Sequence, residues 1–374
     1  MNKKPYFTGR GKTAGEKIDL PRVDPAEHQK GEGYVASRDL ASAVNVALTL
    51  RMPLLLTGAP GSGKSRLADR VAYELGLGDP LEFVVKSDTR GTDLFYSFDT
   101  VGRFHAAQSE KDPDSPRIAP QRFITFNALG KAILYAKPES FLTDADKLDL
   151  PKEQEVVEKH PGQSDRPQVV LIDEIDKAPR DVPNDILTEI EGMRFRIPEF
   201  EAADGREVQV ALEGDEYDLR PIVIITSNSE KALPDAFVRR CAYFHVESPP
   251  FRADNPEQDQ VTVEEIIASR LGKRFVPDDR TPTTLGQDAV AFFHHLQDET
   301  KVFLERKPSL AEFIDWLRLI LPQEGTGTEK RLKDFYEDEK RKTFLLNSIR
   351  TMLLKDKDAQ RDVEDIFKGW QGSS

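Results

Sequence analysis

Residues 58–65 read Gly58-Ala59-Pro60-Gly61-Ser62-Gly63-Lys64-Ser65 and follow directly on the apolar run Pro53-Leu54-Leu55-Leu56-Thr57. Glycines at this spacing let successive backbone N–H groups curl around an anion. A helix starting just afterwards adds its positive N-terminal end. In such a loop the lysine reaches the β- and γ-phosphates and the following hydroxyl ligates Mg²⁺. The short buried strand before the loop is the context this chemistry needs. The pattern points to a nucleoside triphosphate with Mg²⁺.

Three further clusters fit around such a ligand. Val169-Val170-Leu171-Ile172 ends in Asp173-Glu174, which places two carboxylates at the carboxyl edge of a buried strand, where open α/β sheets bind ligands. Asp173 is expected in the Mg²⁺ shell, and Glu174 is expected to orient and polarise the attacking water. Ile222-Val223-Ile224-Ile225 likewise ends in Thr226-Ser227-Asn228, so the Asn228 amide is a candidate to hydrogen-bond the γ-phosphate or its water. Leu233-Pro234-Asp235-Ala236-Phe237-Val238 leads into Arg239-Arg240-Cys241. An arginine here could reach a neighbouring subunit's γ-phosphate, a contact worth on the order of 10³–10⁵ in rate. The residues alone do not choose between Arg239 and Arg240.

These groups need a scaffold that brings strand ends together. Short apolar strand candidates occur at Pro53–Thr57, Leu81–Val85, Val169–Ile172 and Ile222–Ile225, with helical stretches between them. Runs this short and this apolar fit a parallel sheet covered on both faces, hence an α/β fold. Leu40, Val44, Ala47 and Leu48 share a helical face, with Ser37 as N-cap. Residues 193–212 predict a β-hairpin turning at Asp204-Gly205, inserted before the fourth strand. Beyond Pro249-Pro250 the periodicity is helical. Leu310, Phe313, Ile314, Leu317, Ile320 and Leu321 form a stripe opened by the capping box Ser309-x-x-Glu312. After a linker at Pro322–Gly327 and a charged stretch, Glu329–Lys342, one last amphipathic helix is expected from Leu345 to about Trp370. The domains expected are a mobile arm over 1–30, an α/β ATP-binding domain over 31–250, a small helical lid over 251–325 and a charged helical extension over 326–374.

Composition narrows the class. The 374 residues carry a formal net charge of −13 and no long basic stretch, which argues against nucleic acid as the main partner. The single cysteine, Cys241, excludes an intramolecular disulfide framework and fits a reducing compartment. No signal-peptide pattern opens the chain and no apolar run is long enough to span a membrane, so a cytoplasmic protein is expected. Adjacent His294-His295 diverge on a helix and cannot readily chelate one metal. No Asn-Lys-x-Asp guanine-reading motif follows the loop.

With Gly58–Ser65, Asp173-Glu174, Thr226–Asn228 and Leu233–Cys241 in place, the chain resembles the AAA+ ATPases, and among them the MoxR family in its CoxD-like branch. Further matches are Ser87-Asp88-Thr89, Asp93–Asp99, Arg103-Phe104, Gln108, Pro308-Ser309, Glu312 and Asp315-Trp316-Leu317. The resemblance covers about residues 30–321. It implies that Asp173 and Glu174 act as the Walker B pair and Asn228 as sensor 1, with Arg240 as the arginine finger and Arg239 second. Residues 193–212 then resemble the pre-sensor hairpin, and 99–108 the helix-2 insert that faces a central pore. Tyr34 and Val35 resemble the backbone flanking the adenine. Leu310 and Ala311 stand where many members carry a sensor 2 arginine, so sensor 2 is unassigned; Arg306 and Lys307 lie just before.

The resemblance implies a ring, expected to be a hexamer of this chain. It also implies a client protein to be activated or loaded with a metal or cofactor, often through a von Willebrand A-domain adaptor. Two rivals stay open: a nucleotide-gated scaffold subunit of a defence-type complex, and a DNA-directed AAA+ motor.

Overall fold

The inner apolar runs become strands because their side chains, alternating between two faces, are buried on both. A computed structural model describes residues 31–112, 115–162, 166–201, 207–228, 231–251, 260–277, 282–321 and 331–371. The expected arm over 1–30, the Asp204-Gly205 turn and the linker at Pro322–Gly327 lie outside the described residues. Five strands form one parallel sheet: β1 (Leu54–Gly58), β2 (Leu81–Val84), β5 (Val169–Asp173), β8 (Ile222–Ser227) and β9 (Ala242–Val246). Their spatial order is β2-β5-β8-β1-β9. The central register pairs Leu56 with Thr226 and Ile172 with Ile225, so the polar ends of β1, β5 and β8 finish side by side.

Alternation sorts the strand residues between two cores. Leu54, Leu56, Val169, Leu171 and Ile224 pack on one face with α1 (Arg38–Leu50) and α2 (Arg66–Glu74). Leu55, Val170, Ile172, Val223 and Ile225 pack on the other with α4 (Ala128–Tyr135). Ser37 caps α1, its Oγ accepting from the Leu40 N–H at 3.2 Å. Strand β9 was not among the expected strands. It is an edge strand in which only alternate residues are half-buried, so it lacks the continuous apolar run of the inner strands.

Two excursions leave the sheet. Strands β3 (Tyr96–Phe98) and β4 (Ile124–Phe126) pair antiparallel, and between them α3 (Thr100–Ser109) buries no residue and exposes Val101 and Phe104. Strands β6 (Arg194–Glu201) and β7 (Glu207–Ala211) form the expected hairpin. Short helices α5 (Glu139–Thr143), α6 (Glu155–Glu158), α7 (Val182–Asp185), α8 (Leu187–Gly192) and α9 (Asp235–Val238) fill the connections.

The helical region begins with α10 (Val263–Leu271), α11 (Thr284–Gln297) and α12 (Leu310–Ile320). The expected capping box is present: the Ser309 N–H donates to Glu312 Oε2 at 2.8 Å, and the Glu312 N–H donates to Ser309 Oγ at 3.3 Å. The charged stretch carries α13 (Leu332–Glu337), and where one final helix was expected from Leu345 to about Trp370 there are three pieces: α14 (Glu339–Met352), α15 (Lys357–Arg361) and α16 (Val363–Gln371). Asp356 breaks the run. Its backbone is extended, and its side chain caps the next turn by accepting from the Ala359 N–H at 2.6 Å.

All of these helices share one apolar core. Phe293 stacks on Phe313 with ring centroids 4.2 Å apart, while Phe292 meets Phe367 at 5.5 Å and Trp370 at 5.6 Å. The Trp316 indole N–H donates to Ser348 Oγ at 2.9 Å, and Arg331 grips Asp288 with two hydrogen bonds. The charged C-terminal segment is therefore packed into the same core as α10–α12. Phe367→Ala is expected to destabilise that core by about 3–5 kcal/mol, measured by urea denaturation of the full chain.

Candidate functional site

The 58–65 loop runs between β1 and α2, and its glycines are needed for space as well as conformation. Gly58 has φ 144°, and a Cβ there would lie 2.3 Å from the Val246 carbonyl oxygen of β9. Gly61 has φ 77°, and its Cβ would lie 2.7 Å from Ser309 Cβ. Both are conformations that side-chain-bearing residues rarely adopt. The second contact also shows that the N-terminus of α12 sits directly against the loop. Lys64 is buried and folds back over the loop, donating to the Gly58 and Ala59 carbonyls at 2.9 Å each. Burial pulls its pKa down, and the carboxylates of Asp173, Asp176 and Glu174 oppose that shift.

The strand ends meet through hydroxyls. Ser65 Oγ donates to Asp173 Oδ1 at 2.7 Å, and the Thr226 hydroxyl donates to the same oxygen. Thr226 Oγ1 also accepts from the Glu174 N–H at 3.0 Å. This bond helps hold Glu174 at φ 61°, ψ 46°, a left-handed conformation that typically costs about 1–3 kcal/mol for such a residue. So placed, the Glu174 carboxylate receives Asn228 Nδ2 at 3.2 Å on Oε1 and the Lys177 ammonium on Oε2. The Asn228 N–H donates to Asp176 Oδ1 at 3.2 Å, and Asp176 is buried.

Beside the loop lies a cleft of about 190 Å³. Tyr34 and Val35 form one wall, Leu310, Ala311 and Ile314 another, and Gly61, Ser62 and Gly63 line it between them. Tyr34 is buried, and its phenol pKa is pushed up to about 12 by that burial, so it is neutral.

The structure thus brings together the loop, Asp173, Glu174 and Asn228, with Tyr34 and Val35 alongside. It keeps Arg239 and Arg240 apart from them, exposed beyond α9. Arg240 Nε pairs with Glu191 Oε1 at 2.8 Å and Nη1 donates to the Ala236 carbonyl at 3.3 Å. Of the basic residues before α12, Lys307 is paired with Glu299 at 2.7 Å. Cys241 is buried, and burial raises its thiol pKa to about 12, so it is not a nucleophile.

Sequence reasoning missed the double role of Thr226, the buried carboxylate of Asp176 and the Lys177–Glu174 pair. The spacing Asp173-x-x-Asp176-Lys177 was the available signal, since a tight turn after β5 brings these residues back beside the strand end.

The chemistry of the donor set suits a hard cation. A hydroxyl oxygen and a carboxylate oxygen 2.7 Å apart beside a phosphate-type loop match the way Mg²⁺ is held, by one or two protein oxygens together with phosphates.

The family model for the AAA domain, dynein-related subfamily, matches residues 53–241, from the start of β1 to the arginine pair. Among solved structures, the Holliday junction branch migration motor RuvB of Thermotoga maritima is 13% identical, with a TM-score of 0.35. That match covers 84% of this chain and 67% of RuvB. A closed-state reconstruction of Hsp104 with ATPγS and FITC casein is 17% identical, with a TM-score of 0.36, covering 80% of this chain and 47% of Hsp104. No curated protein sequence matches the chain. Among the described residues, no helix is long and apolar enough to cross a membrane.

Thr226→Val keeps the side-chain volume but removes the donor to Asp173 and the acceptor for the Glu174 N–H. It is expected to destabilise the protein by about 1–3 kcal/mol, measured by urea denaturation against the unaltered chain.

Proposed function

This chain belongs to the AAA domain family, in its dynein-related subfamily, and from that premise we propose that it is a ring-forming, Mg-ATP-dependent ATPase that remodels or activates a client protein. The observation that carries the proposal is the meeting of Ser65, Asp173, Glu174 and Asn228 beside the 58–65 loop, at the carboxyl edge of the sheet.

Lys64 and the loop N–H groups would hold the β- and γ-phosphates. Ser65 and Asp173 would hold Mg²⁺, which neutralises developing charge on the phosphates. Glu174 would orient the attacking water. Its left-handed backbone aims the carboxylate out of the strand line, and Asn228 holds one oxygen in place. The other oxygen accepts from Lys177 and keeps a lone pair that a water could use.

Arg240 would complete the site of the next subunit in a ring. Its exposure at the end of α9, where among the described residues Glu191 and a local carbonyl hold it, supports a role in trans, with Arg239 the second choice. The contact of Ser309 with Gly61 supports coupling between nucleotide state and the helical region, because α12 rests on the loop itself. The exposed α3, with Val101 and Phe104, and the β6–β7 hairpin would be the parts moved against a client. By the resemblance to MoxR-type proteins, that client is a folded protein engaged directly or through a von Willebrand A-domain adaptor.

Lys64→Ala is expected to abolish ATP binding, measured by fluorescent-nucleotide titration; tight binding by that variant would undo the loop assignment. Glu174→Gln is expected to bind ATP but to hydrolyse it at least about a hundredfold more slowly. Arg240→Ala should bind ATP and hydrolyse it poorly, and mixing it with Glu174→Gln should restore some turnover if the finger acts between subunits. Absence of recovery at every mixing ratio would count against that geometry, and undiminished hydrolysis by Glu174→Gln would overturn its role.

A further inference from the structure

A cavity of about 230 Å³ lies where the amino ends of β1 and β8 meet α1 and α2. The phosphate-type loop and Asn228 sit at the opposite, carboxyl ends of the same two strands. The body of the cavity is apolar, formed by Val44 and Leu48 of α1, Leu54 of β1, Val71 of α2 and Ile224 of β8. Two arginines from separate elements complete the lining. Arg51 follows the last turn of α1, and Arg220 leads into β8.

The paired charges are the unusual part. Arg51 caps α1 with a left-handed backbone, φ 54° and ψ 33°, where helices most often carry glycine. The negative end of α1 favours one cation there, but it does not account for a second. Arg220 is half-buried, and that burial lowers its pKa; the Arg51 charge lowers it further, while Tyr217 and Glu191 oppose the shift. Glu191 is already engaged with Arg240 at 2.8 Å. Among the described residues neither Arg51 nor Arg220 is in an ion pair. Arg51 Nη1 donates to the Asp218 carbonyl at 3.4 Å, and Arg220 Nη2 donates to the Ile190 carbonyl at 3.2 Å. Each contact uses one nitrogen of a guanidinium, which leaves further donors on both forks.

Two donor forks beside an apolar recess match a molecule with one anionic end and an apolar body. A guanidinium grips a carboxylate at two points in one plane, and it is more weakly hydrated than an ammonium, so it suits a partly buried site. Size limits the body: a cavity of about 150 Å³ takes benzene, so about 230 Å³ takes a chain or ring of roughly nine carbons. We propose that this cavity binds a small apolar carboxylic acid, its carboxylate held by Arg51 and Arg220 and its hydrocarbon part packed against Val44, Leu48 and Leu54. The proposal uses no residue of the 58–65 loop and is independent of the ATP reading.

The test is calorimetric titration of the full-length protein with octanoate, with 1-octanol as the body alone and acetate as the head alone. Octanoate is expected to saturate one site per chain with a Kd below about 1 mM. Octanol should bind at least about tenfold more weakly, since it lacks the charge that the arginines hold, and acetate should show no saturable binding. Arg51→Gln and Arg220→Gln should each weaken octanoate binding by about tenfold or more. Arg51 is exposed, so its replacement tests the charge without disturbing the core. Val44→Phe, which places a ring in the cavity, should abolish octanoate binding, and urea denaturation of each variant separates lost binding from lost folding. Saturating Mg-ATP should not displace octanoate. Absence of saturable octanoate binding, octanol or acetate binding as tight as octanoate, or an affinity unchanged in both arginine variants or in Val44→Phe overturns the proposal. Displacement by ATP would put octanoate in the nucleotide site and overturn it too. None of these outcomes bears on the loop assignment, which Lys64→Ala tests separately.

Discussion

The structure of the site depends on one carboxylate. Asp173 Oδ1 accepts from Ser65 at 2.7 Å and from Thr226, and so ties the loop after β1 to the ends of β5 and β8. Asp173 lies 108 residues from Ser65 and 53 from Thr226, and the three are brought together by parallel pairing that sets Leu56 opposite Thr226 and Ile172 opposite Ile225. A slip of one residue in either register would turn Thr226 to the opposite face of the sheet and leave Asp173 without its second donor. The apolar alternation that buries Leu54 and Leu56 on one face and Leu55 on the other therefore also fixes the polar geometry at the strand ends.

From that knot follow the less favourable features of the site. Thr226 receives the Glu174 N–H and so helps hold Glu174 in its left-handed conformation. The strain is local, and its effect is to set the carboxylate between Asn228 and Lys177, each of which donates to one of its oxygens. Lys64 is also engaged, on the carbonyls of its own loop. Binding a polyphosphate would exchange these internal partners for ligand oxygens, so the cost of desolvating the buried groups has already been met in the folded protein.

The helical region is coupled to this site by contact. Ser309, the cap of α12, lies against Gly61, and the same helix supplies walls of the neighbouring cleft. Helix α12 in turn belongs to a core that includes Phe367 and Trp370 from the end of the chain. Helix α12 thus joins the loop to a packed body that includes the C-terminal segment.

Much of this was legible without coordinates. The loop, the acid pair after Ile172, the strand ending at Asn228 and the capping box at Ser309 are local patterns, and local patterns survive in a linear sequence because their partners lie within a few residues. The edge strand Ala242–Val246 was missed because an edge needs no continuous apolar run. The break at Asp356 was missed because a capping aspartate looks like any other charge on a helix face. What the sequence by itself determined was the parallel α/β core, the phosphate-type loop and the residue types that accompany it. Only the tertiary structure decided that Thr226 joins Asp173 to Glu174 and that Arg66, Arg270 and Arg318 converge on one cleft. The physical reason is that hydrogen bonds and charge clusters between distant segments depend on strand order and helix packing, and no spacing along the chain encodes them.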